Sequence, residues 1–450
     1  MTARPRRDES WADALLSLAS YLPPGPRLWA ARRAAARSLG ATALRAAPAD
    51  PLVLTRLGLH GVALAQTGGG RTRALARAAA AAALGDLSRA RGLMAAGGEL
   101  SISERRLLAS SAAPFDPALA LALLPTSDRA DRAACALAWG DLDLARLLLN
   151  DAVQSQQTRY LTGALAAWRG DWRTARDLLN GAFAADGLFP PLASGIDEPT
   201  ALAAFAEVRP PDSVEGPLIS VVMAAKDAAA TIGVAIDSLL AQTWRNLEVL
   251  VIDDRSTDST LAVAHGLAER DARLRILLNE RAPGAYGARN TGLSAARGVF
   301  IALHDADDWA HPQRFERQMR TLGQDKGMTL CRHFRVDLAG RPLCPRVFPF
   351  VRLSPITAVA RADAFATIGA FDEVSVGADS EWLARFDTRF GRRAAPRTGE
   401  VGLVAQWAAQ SLSGSPVSGF TGENLRARVA YVEAWRRRHA AIFAPPLNKV

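Results

Sequence analysis

The feature that most constrains the fold is a regular alternation of short apolar runs with longer helix-like segments between residues 218 and 304. Apolar runs of this length suit strands that are buried on both faces of a parallel sheet. The alternation therefore predicts a doubly wound, Rossmann-like α/β sheet. The predicted strands are Leu218–Ala224, Leu247–Ile252, Leu274–Leu278 and Val299–His304, and the predicted helices are Ala228–Gln242, Ser259–Arg270 and Ala285–Arg297.

The residues before this region follow a different pattern. From Trp11 to Phe205 the sequence is rich in alanine, leucine and arginine at helical spacing. Three glycine-aspartate pairs divide helix-like stretches, where glycine would end one helix and aspartate would cap the next. The pairs are Gly85-Asp86, Gly140-Asp141 and Gly170-Asp171. This pattern is typical of degenerate tetratricopeptide-like hairpins, although an ordinary helical bundle has similar turns.

These patterns predict four regions along the chain. They are an all-α, tetratricopeptide-like repeat domain at 1–207, a proline-rich linker at 208–217, an α/β domain at 218–410 and a C-terminal helical extension at 411–450. The extension contains a basic helix predicted at Gly422–Phe443. We expect this helix to dock on the α/β domain; contact with an acidic membrane surface is the alternative.

Composition narrows the class of protein. The net charge is +9, but the basic residues are scattered, which favours a solvated surface over nucleic-acid binding and leaves attraction to anionic lipids open. Three cysteines form no pair with metal-ligand spacing, and no apolar window is long enough to cross a membrane. We therefore expect a cytoplasmic protein, and any contact with the inner face of the membrane would be peripheral.

Acidic residues stand where two of the predicted strands end. Asp253 and Asp254 follow the second strand, and the triplet Asp305-Ala306-Asp307 follows the fourth. The carboxyl ends of parallel strands meet at one edge, where ligands bind. Carboxylates gathered there repel one another unless cations or donors neutralise them, and a hard divalent cation fits such oxygen ligands. A strand-end turn with a helix cap is the simpler alternative.

Four stretches, in their order and spacing, resemble the inverting glycosyltransferases of family 2, which have the GT-A fold. They are Ile219–Asp227 with Ser238–Thr243, Glu248–Asp258, Gly287–Gly292 running into Gly298 and the acidic triplet, and Gly369–Glu373 with Gly377–Trp382. The resemblance covers roughly Pro217 to Arg389. It implies that the sheet is a mixed, nucleotide-binding GT-A sheet that follows the helical-repeat domain.

The resemblance also implies roles for the strand-end residues. Those that would bind the nucleotide-sugar are Ala225, Asp227, Asp253, Asp254, Arg289 and Asp305. Asp253 would accept a hydrogen bond from a uracil ring, and Arg289 would lie near the phosphates. Asp307 would bind Mg²⁺ or Mn²⁺ most directly, with Asp305 sharing that role. His304 replaces the apolar residue usual in the family, and we expect it to be a structural histidine rather than a metal ligand.

One carboxylate must remove the proton of the acceptor hydroxyl. Asp379 aligns with the acid of the family's base motif, although Ala378 replaces the glutamate before it; Glu381 is the alternative base. A helix cap is the simpler role for Asp379. Trp309 and Trp382 could stack on sugar rings, although packing in the core explains them equally well.

The resemblance implies a metal-dependent, inverting transferase of the hexosyl or N-acetylhexosaminyl type. It would move a sugar from a nucleotide-sugar donor, expected to be UDP-linked, to a hydroxyl of a glycan or lipid-linked acceptor in cell-surface polysaccharide or glycolipid assembly. The helical domain would contact a protein partner. A non-catalytic helical-repeat scaffold with a degenerate transferase domain stays open, although the acid set is intact. A nucleotidyltransferase is disfavoured, because no glycine-rich basic loop follows the first strand.

Overall fold

The computed structural model describes residues 60–65, 71–95, 98–193, 201–205, 213–323, 326–408 and 423–442. The chain divides into two compact units, one formed by residues 1–127 and 419–450 and the other by residues 128–418. The predicted start of the helical domain, the first half of the predicted linker and both ends of the C-terminal extension lie outside the described residues. The boundaries of the four predicted regions differ from those of the two units, and the predicted boundaries stay a prediction.

Helices make up the described chain before the sheet. In the first unit they are α1 (His60–Ala65), α2 (Arg71–Ala83), α3 (Leu87–Ala95), α4 (Ile102–Ala112) and α5 (Pro117–Leu123). In the second unit they are α6 (Arg129–Trp139), α7 (Leu142–Asn150), α8 (Gln156–Trp168) and α9 (Trp172–Ala185). The predicted helical character of this half is confirmed, whereas the tetratricopeptide-like repeat stays a prediction.

The predicted glycine-aspartate chemistry is present at the turns between these helices. Gly140 has a φ of +92°, in the left-handed region that favours glycine, and it ends α6. Asp141 then caps α7 by accepting a hydrogen bond from Leu144 N at 2.9 Å. Asp171 caps α9 in the same way through Thr174 N at 3.1 Å. These caps fix where each hairpin turns.

The second unit is built on one mixed sheet, in the order β3-β2-β1-β4-β9-β6-β10-β5. The strands are β1 (Ile219–Ala225), β2 (Leu247–Asp253), β3 (Leu274–Leu278), β4 (Phe300–Asp305), β5 (Asp308–Ala310), β6 (Met328–Val336), β7 (Pro342–Leu343), β8 (Arg352–Leu353), β9 (Val359–Arg361) and β10 (Arg397–Gln406). The four strands β3-β2-β1-β4 are parallel, as predicted. Strand β9 runs antiparallel to β4 and to β6, which makes the sheet mixed.

Helices cover both faces of this sheet. They are α10 (Ile232–Leu240), α11 (Thr260–Ala268), α12 (Ala285–Ala295), α13 (Arg314–Leu322), α14 (Ala362–Ile368) and α15 (Ala378–Phe390). Alternate residues of β1 face opposite sides, so that Val221 packs in the core with α10 and α13 while Val222 packs in the core with α12 and α15. Burial on both faces explains why the strands are continuous apolar runs.

Helices α8 and α9 pack against the far half of the sheet. Tyr160 and Phe183 lie against Phe334 of β6, with ring centroids 5.3 and 6.3 Å apart. The Gln157 side chain exchanges two hydrogen bonds of 2.9 Å with the backbone of Val351. The helical hairpin is therefore part of the same core as the sheet.

The C-terminal helix, α16 (Glu423–Ile442), confirms the helix predicted at this position. It is grouped with the first unit, in which Glu433 accepts a hydrogen bond from Gly61 N at 2.6 Å, and its expected docking on the α/β domain stays a prediction. Among the helices that the structure describes, none is both long and apolar enough to cross a membrane.

Candidate active site

The register of three parallel strands brings the predicted acids to one edge. At the carboxyl end of β1, Ala225 pairs with Asp253 of β2, and Ala224 pairs with Asp305 of β4. A single strand, β1, therefore separates the two acidic clusters, and each neighbouring strand lies about 5 Å from it. Both clusters lie on the edge where ligands bind in sheets of this kind.

Asp253 and Asp254 are both buried but have different surroundings. Asp254 accepts hydrogen bonds from Asn279 Nδ2 at 2.6 Å and Gly284 N at 2.7 Å, so it holds the loop before α12. Asp253 Oδ2 accepts a bond from Ser256 N at 3.1 Å. Its Oδ1 is buried and has no hydrogen-bond partner. A buried carboxylate oxygen without a hydrogen-bond donor costs free energy, and a ligand that donates a hydrogen bond to this atom would remove that cost.

Asp227 lies in the loop after β1, with a φ of +48°. Its Oδ1 accepts hydrogen bonds from Thr257 N at 2.7 Å and Thr257 Oγ1 at 3.1 Å. The carboxylate thus ties the loop after β1 to the loop after β2. Ala225, the other residue predicted here, is buried, and its carbonyl accepts a bond from Asp254 N at 2.8 Å.

Arg289 and Asp305 form an ion pair across this edge. Arg289 extends from α12, and its guanidinium donates to Asp305 Oδ1 at 2.5 Å. Burial alone would lower the pKa of Arg289, but Asp305, Tyr286 and Asp379 raise it above its ordinary value, so the side chain stays charged. Its Nε is buried without a partner. Arg289 therefore keeps a donor for a further anion.

Asp307 lies in the short turn between β4 and β5. Its backbone oxygen accepts a bond from Gln406 N at 3.2 Å, and the one backbone hydrogen bond recorded to its carboxylate comes from Asp307 itself, among the residues that the structure describes. Burial, and then the charge of Asp305, raise the pKa of Asp307 to about 6. Burial and Asp307 likewise raise the pKa of Asp308 well above its ordinary value. Burial thus disfavours the charged forms of both carboxylates in this turn, and a bound cation would favour them.

A buried polar network holds the turn from below. Arg314 donates to His304 Nδ1 at 3.1 Å, and an arginine has only donors, so Nδ1 carries no proton. The Nε2–H of His304 therefore donates to the backbone oxygen of Asp308 at 3.2 Å. Burial, and then Arg314, lower the pKa of His304 well below its ordinary value. His304 is thus a neutral histidine that holds the turn, as expected, with both ring nitrogens occupied.

Asp379 and Glu381 lie in the first turn of α15 but in contrasting environments. Asp379 is half-buried, and its Oδ1 accepts hydrogen bonds from Tyr286 Oη at 3.1 Å and Ser380 N at 2.7 Å. Glu381 is buried, and both of its oxygens accept bonds of 3.0 Å from Arg385 Nε. The glutamate is therefore held in an ion pair.

The two tryptophans belong to the core. Trp382 is 2% exposed, stacks on Phe365 with centroids 4.3 Å apart and donates from Nε1 to Gly369 O at 3.0 Å. Trp309 is 1% exposed and lies 5.3 Å from the ring of Phe205. Packing therefore accounts for both residues, and neither presents a ring face to a sugar.

The structure brings most of the predicted residues together, and it adds two that the sequence did not single out. Tyr286 precedes Arg289 by three positions, a spacing that places both on one face of a helix. Arg335 lies in line with Asp308 across β10, since both pair with Ala405. The helical spacing could have indicated Tyr286, but the pairing of β6 with β10 joins segments too distant in sequence for a local pattern to show it.

Part of the chain matches a known family. Residues 220–348 match the family described as "Glycosyl transferase family 2". The matched segment contains Asp253, Arg289, Asp305 and Asp307, and it ends before Asp379.

Curated relatives match about a quarter of the chain. The chain is 44% identical over 105 residues to the UDP-Glc:alpha-D-GlcNAc-diphosphoundecaprenol beta-1,3-glucosyltransferase WfgD of Escherichia coli, covering 23% of this chain and 41% of that protein. It is 42% identical over 112 residues to the succinoglycan biosynthesis protein ExoO of Rhizobium meliloti, covering 25% and 32%. The chain therefore spans less than half the length of these relatives.

Solved structures show more distant likenesses. The glucosyl-3-phosphoglycerate synthase of Mycobacterium tuberculosis, in complex with Mn²⁺, UDP and glucosyl-3-phosphoglycerate, is 19% identical with a TM-score of 0.38, covering 50% of this chain and 80% of that one. The TarS fragment of S. aureus in complex with UDP is 17% identical with a TM-score of 0.34, covering 50% and 70%.

The topology of the sheet and the family match indicate the same type of fold. The parallel strands, the helices on both faces and the antiparallel strand β9 form the mixed α/β sheet that was predicted, and many helices precede it. The GT-A type of fold is confirmed, and within it residues 220–348 match the family 2 glycosyl transferases.

Proposed function

We propose that this chain is a metal-dependent, inverting glycosyltransferase that moves a sugar from a nucleotide-sugar to an acceptor hydroxyl. The observation that supports it most is the convergence of Asp253, Arg289 and Asp305 at one sheet edge, within the segment that matches the family. Each of these side chains has a chemistry that a different part of a nucleotide-sugar requires.

Asp253 is suited to recognise the base. Its Oδ1 is a buried acceptor with no partner, and uracil carries a ring N–H that could satisfy it. A hydrogen bond from a neutral donor to a buried carboxylate contributes on the order of 1.5–3 kcal/mol. Cytosine has no N–H at the corresponding ring position, so this interaction would favour a uridine diphosphate donor. The loops held by Asp254 and Asp227 would form the walls around the base.

The acidic turn fits a divalent cation. Among the described residues only the backbone of Asp307 itself donates to its carboxylate, and the pKa is raised to about 6, so a nearby positive charge would stabilise the ionised form. No cluster of three or more metal-ligand side chains occurs in the described part of the chain. Mg²⁺ commonly takes one or two carboxylates and completes its shell with water and phosphate oxygens. Asp307, with Asp305 beside it, would hold the ion, which when bound neutralises the departing diphosphate.

Asp379 is the residue we assign as the base. In the reaction, an Asp379 oxygen takes the proton of the acceptor hydroxyl while that hydroxyl oxygen bonds to the anomeric carbon of the sugar. The bond from this carbon to the phosphate oxygen breaks, and its electron pair leaves with the nucleoside diphosphate. Asp379 later releases its proton to water. Glu381 is disfavoured, because its two oxygens are bound by Arg385.

The relatives favour an acceptor in surface glycan assembly. By its name, WfgD acts on a diphosphoundecaprenol-linked sugar, and ExoO takes part in succinoglycan biosynthesis. We extend this to a lipid-linked or glycan acceptor for the present chain, with the transferred group of the hexosyl or N-acetylhexosaminyl type. The cytoplasmic location and peripheral membrane contact expected from the sequence, and a protein partner for the helical half, complete the proposal.

A donor screen tests the proposal. The full chain is incubated with a panel of sugar nucleotides, with Mn²⁺, with Mg²⁺ or with a chelator, and release of nucleoside diphosphate is measured. We expect release from a UDP-sugar that requires the metal. If no sugar nucleotide binds or turns over under any of these conditions, the enzyme proposal fails and the scaffold with a degenerate transferase domain is favoured.

A further inference from the structure

Tyr286 occupies a buried position between the two sides of the candidate site. It lies in the first turn of α12 and is 6% exposed. Its hydroxyl donates to Asp379 Oδ1 at 3.1 Å and accepts a bond from Gly377 N at 3.1 Å. The hydroxyl therefore contacts the carboxylate that we assign as base and also Gly377, the residue directly before the helix that bears it.

We propose that Tyr286 is a positioning residue that orients the Asp379 carboxylate for proton removal. The proposal rests on the proposed function, in which Asp379 is the base. Both hydrogen bonds that described residues donate to Asp379 go to Oδ1, from Tyr286 and from Ser380. Because one oxygen is held, the torsion of the carboxylate is fixed and Oδ2 is left for the acceptor hydroxyl.

Arg289 links this hydroxyl to the other side of the site. Its guanidinium lies over the Tyr286 ring, 5.0 Å from the centroid, and pairs with Asp305. Since residues three apart on a helix are neighbours, a single turn of α12 contacts both the candidate base and the first acid of the triplet. The relative placement of acceptor and donor thus depends on one rigid element.

Helices α12 and α15 both place charged side chains near Asp379. Arg289 is the charged neighbour on α12, and on α15 itself the next carboxylate, Glu381, is paired with Arg385. Burial, and then the charge of Asp379, raise the pKa of Tyr286, so its hydroxyl keeps its proton and remains a donor. A donor to an ionised carboxylate favours the ionised form.

The chain offers a matched control in Tyr160. It too is a buried tyrosine whose hydroxyl donates to a carboxylate oxygen at 3.1 Å, here Asp186 Oδ2. Tyr160 lies on α8 and packs against Phe334, and we assign it no role in catalysis. Tyr286→Phe and Tyr160→Phe therefore remove the same kind of bond in two places.

The first experiment compares pH–rate profiles of transfer for the parent, Tyr286→Phe and Tyr160→Phe. For Tyr286→Phe we expect the acid limb of kcat/KM to move up by roughly one pH unit and kcat to fall about tenfold, since a bond to a charged group is lost. The KM for the donor should not change. Tyr160→Phe should leave the profile unchanged. An unshifted acid limb in Tyr286→Phe, or an equal shift in Tyr160→Phe, would overturn the proposal.

A second experiment needs no activity. A double-mutant cycle of Tyr286→Phe and Asp379→Ala is measured by urea unfolding, and a coupling free energy corresponding to a fivefold or larger change in the unfolding equilibrium is expected (about 1 kcal/mol). Additive effects would refute the contact. If the two residues are coupled but no sugar nucleotide is turned over, the proposed function fails alone. If turnover is normal and the acid limb does not move, the role of Tyr286 fails alone.

Discussion

At the scale of single residues, Asp379 and Glu381 show how two acids in one helical turn acquire different chemistry. Asp379 has one oxygen held and the other without a described donor, whereas Glu381 is neutralised by Arg385. A free carboxylate oxygen can accept a proton, and one held in a buried ion pair cannot do so without breaking that pair.

Substitutions of Asp379 and of Glu381 should have different effects on catalysis and on stability. We expect Asp379→Asn to lower kcat by a factor of about 10²–10⁴, the usual contribution of a general base, without weakening donor binding. Glu381→Gln should mainly lower stability, by about 1–3 kcal/mol, because Arg385 loses its charged partner. Steady-state kinetics and urea unfolding of both variants measure these effects. Near-normal transfer by Asp379→Asn would remove it as the base and return Glu381 to consideration.

Two further buried histidines, His311 and His333, should make the free energy of unfolding depend on pH. Burial lowers the pKa of His311 to about 4 and that of His333 to about 3. Both are hydrogen-bonded as neutral side chains, His311 to Phe189 O at 2.8 Å and His333 to Arg352 O at 3.0 Å. In the unfolded chain a histidine takes up a proton near pH 6.5, so stability is full above that pH and is lost as the pH falls towards the folded values.

We expect each of these histidines to contribute a loss of about 2 kcal/mol in the free energy of unfolding between pH 7 and pH 5. Urea unfolding at the two pH values measures it, with His311→Gln as the variant and the exposed His265→Gln as control. The His311 variant should lose less stability on acidification than the parent. A pH dependence identical to that of the parent would show that this histidine is not buried in neutral form.

The sequence located the acids of the site but not their partners. Asp253 and Asp305 could be placed because parallel strands end at a common edge and the family motifs mark the same positions. The contact of Tyr286 with Asp379 joins residues 93 apart, and the role of His304 depends on Arg314 behind it. Contacts of this kind depend on how separate elements pack together, and the spacing of residues along one element does not show them.

At the scale of elements, α12 must approach the sheet closely. A Cβ at Gly292 would lie 2.5 Å from a methyl of Val222 and 2.6 Å from one of Ile252. A Cβ at Gly287 would lie 1.9 Å from the carbonyl oxygen of Ala282. These glycines let the helix that carries Tyr286 and Arg289 lie against the strand ends, so its position is set by packing.

An added methyl should displace this helix. We expect Gly292→Ala to lower the free energy of unfolding by about 1–3 kcal/mol through overpacking and to reduce turnover. Gly266→Ala, in α11, has open space and should be neutral or stabilising by up to about 1 kcal/mol. Thermal unfolding and kinetics of both variants provide the comparison. Equal stability for the two would show that α12 tolerates the extra volume.

Element boundaries show where local patterns are incomplete. The helix predicted from Ala228 begins at Ile232 instead, because Ala228 N and Ala229 N donate to Thr260 Oγ1 and Asp258 Oδ2. These bonds hold residues 228 and 229 in a loop at the carboxyl edge of the sheet rather than in a helical turn. The strands β6 and β10 were not predicted, since they pair across a long sequence separation.

At the scale of the whole molecule, the α8–α9 hairpin belongs to the core of the second unit. Its aromatic side chains face Phe334 and His311 of the α/β region, with Phe183 stacked 5.6 Å from His311. Aromatic pairs add about 0.5–1.5 kcal/mol each beyond the area they bury. The predicted linker at 208–217 therefore need not mark the start of an independently stable domain.

Truncated fragments test whether the α8–α9 hairpin is part of the core of the second unit. We expect residues 128–418 to unfold cooperatively as a soluble protein, whereas residues 213–418 should aggregate or unfold without cooperativity, since the face of β6 that packs on Tyr160 would be exposed. Circular dichroism melting of both fragments is the measurement. A shorter fragment that melts as sharply as the longer one would support the predicted boundary.

The proposed function requires that a nucleoside diphosphate bind at the Asp253–Asp307 edge together with a divalent ion. Calorimetric titration of UDP into the full chain, with Mn²⁺ or with a chelator, tests it directly. We predict binding that requires Mn²⁺, that is lost in Asp307→Asn and that is at least about tenfold weaker in Asp253→Ala. Asp271→Ala, before β3 at the other end of the sheet, should bind UDP as the parent does. Absence of UDP binding with Mn²⁺ present, or undiminished binding by Asp253→Ala, would contradict nucleotide binding at this edge.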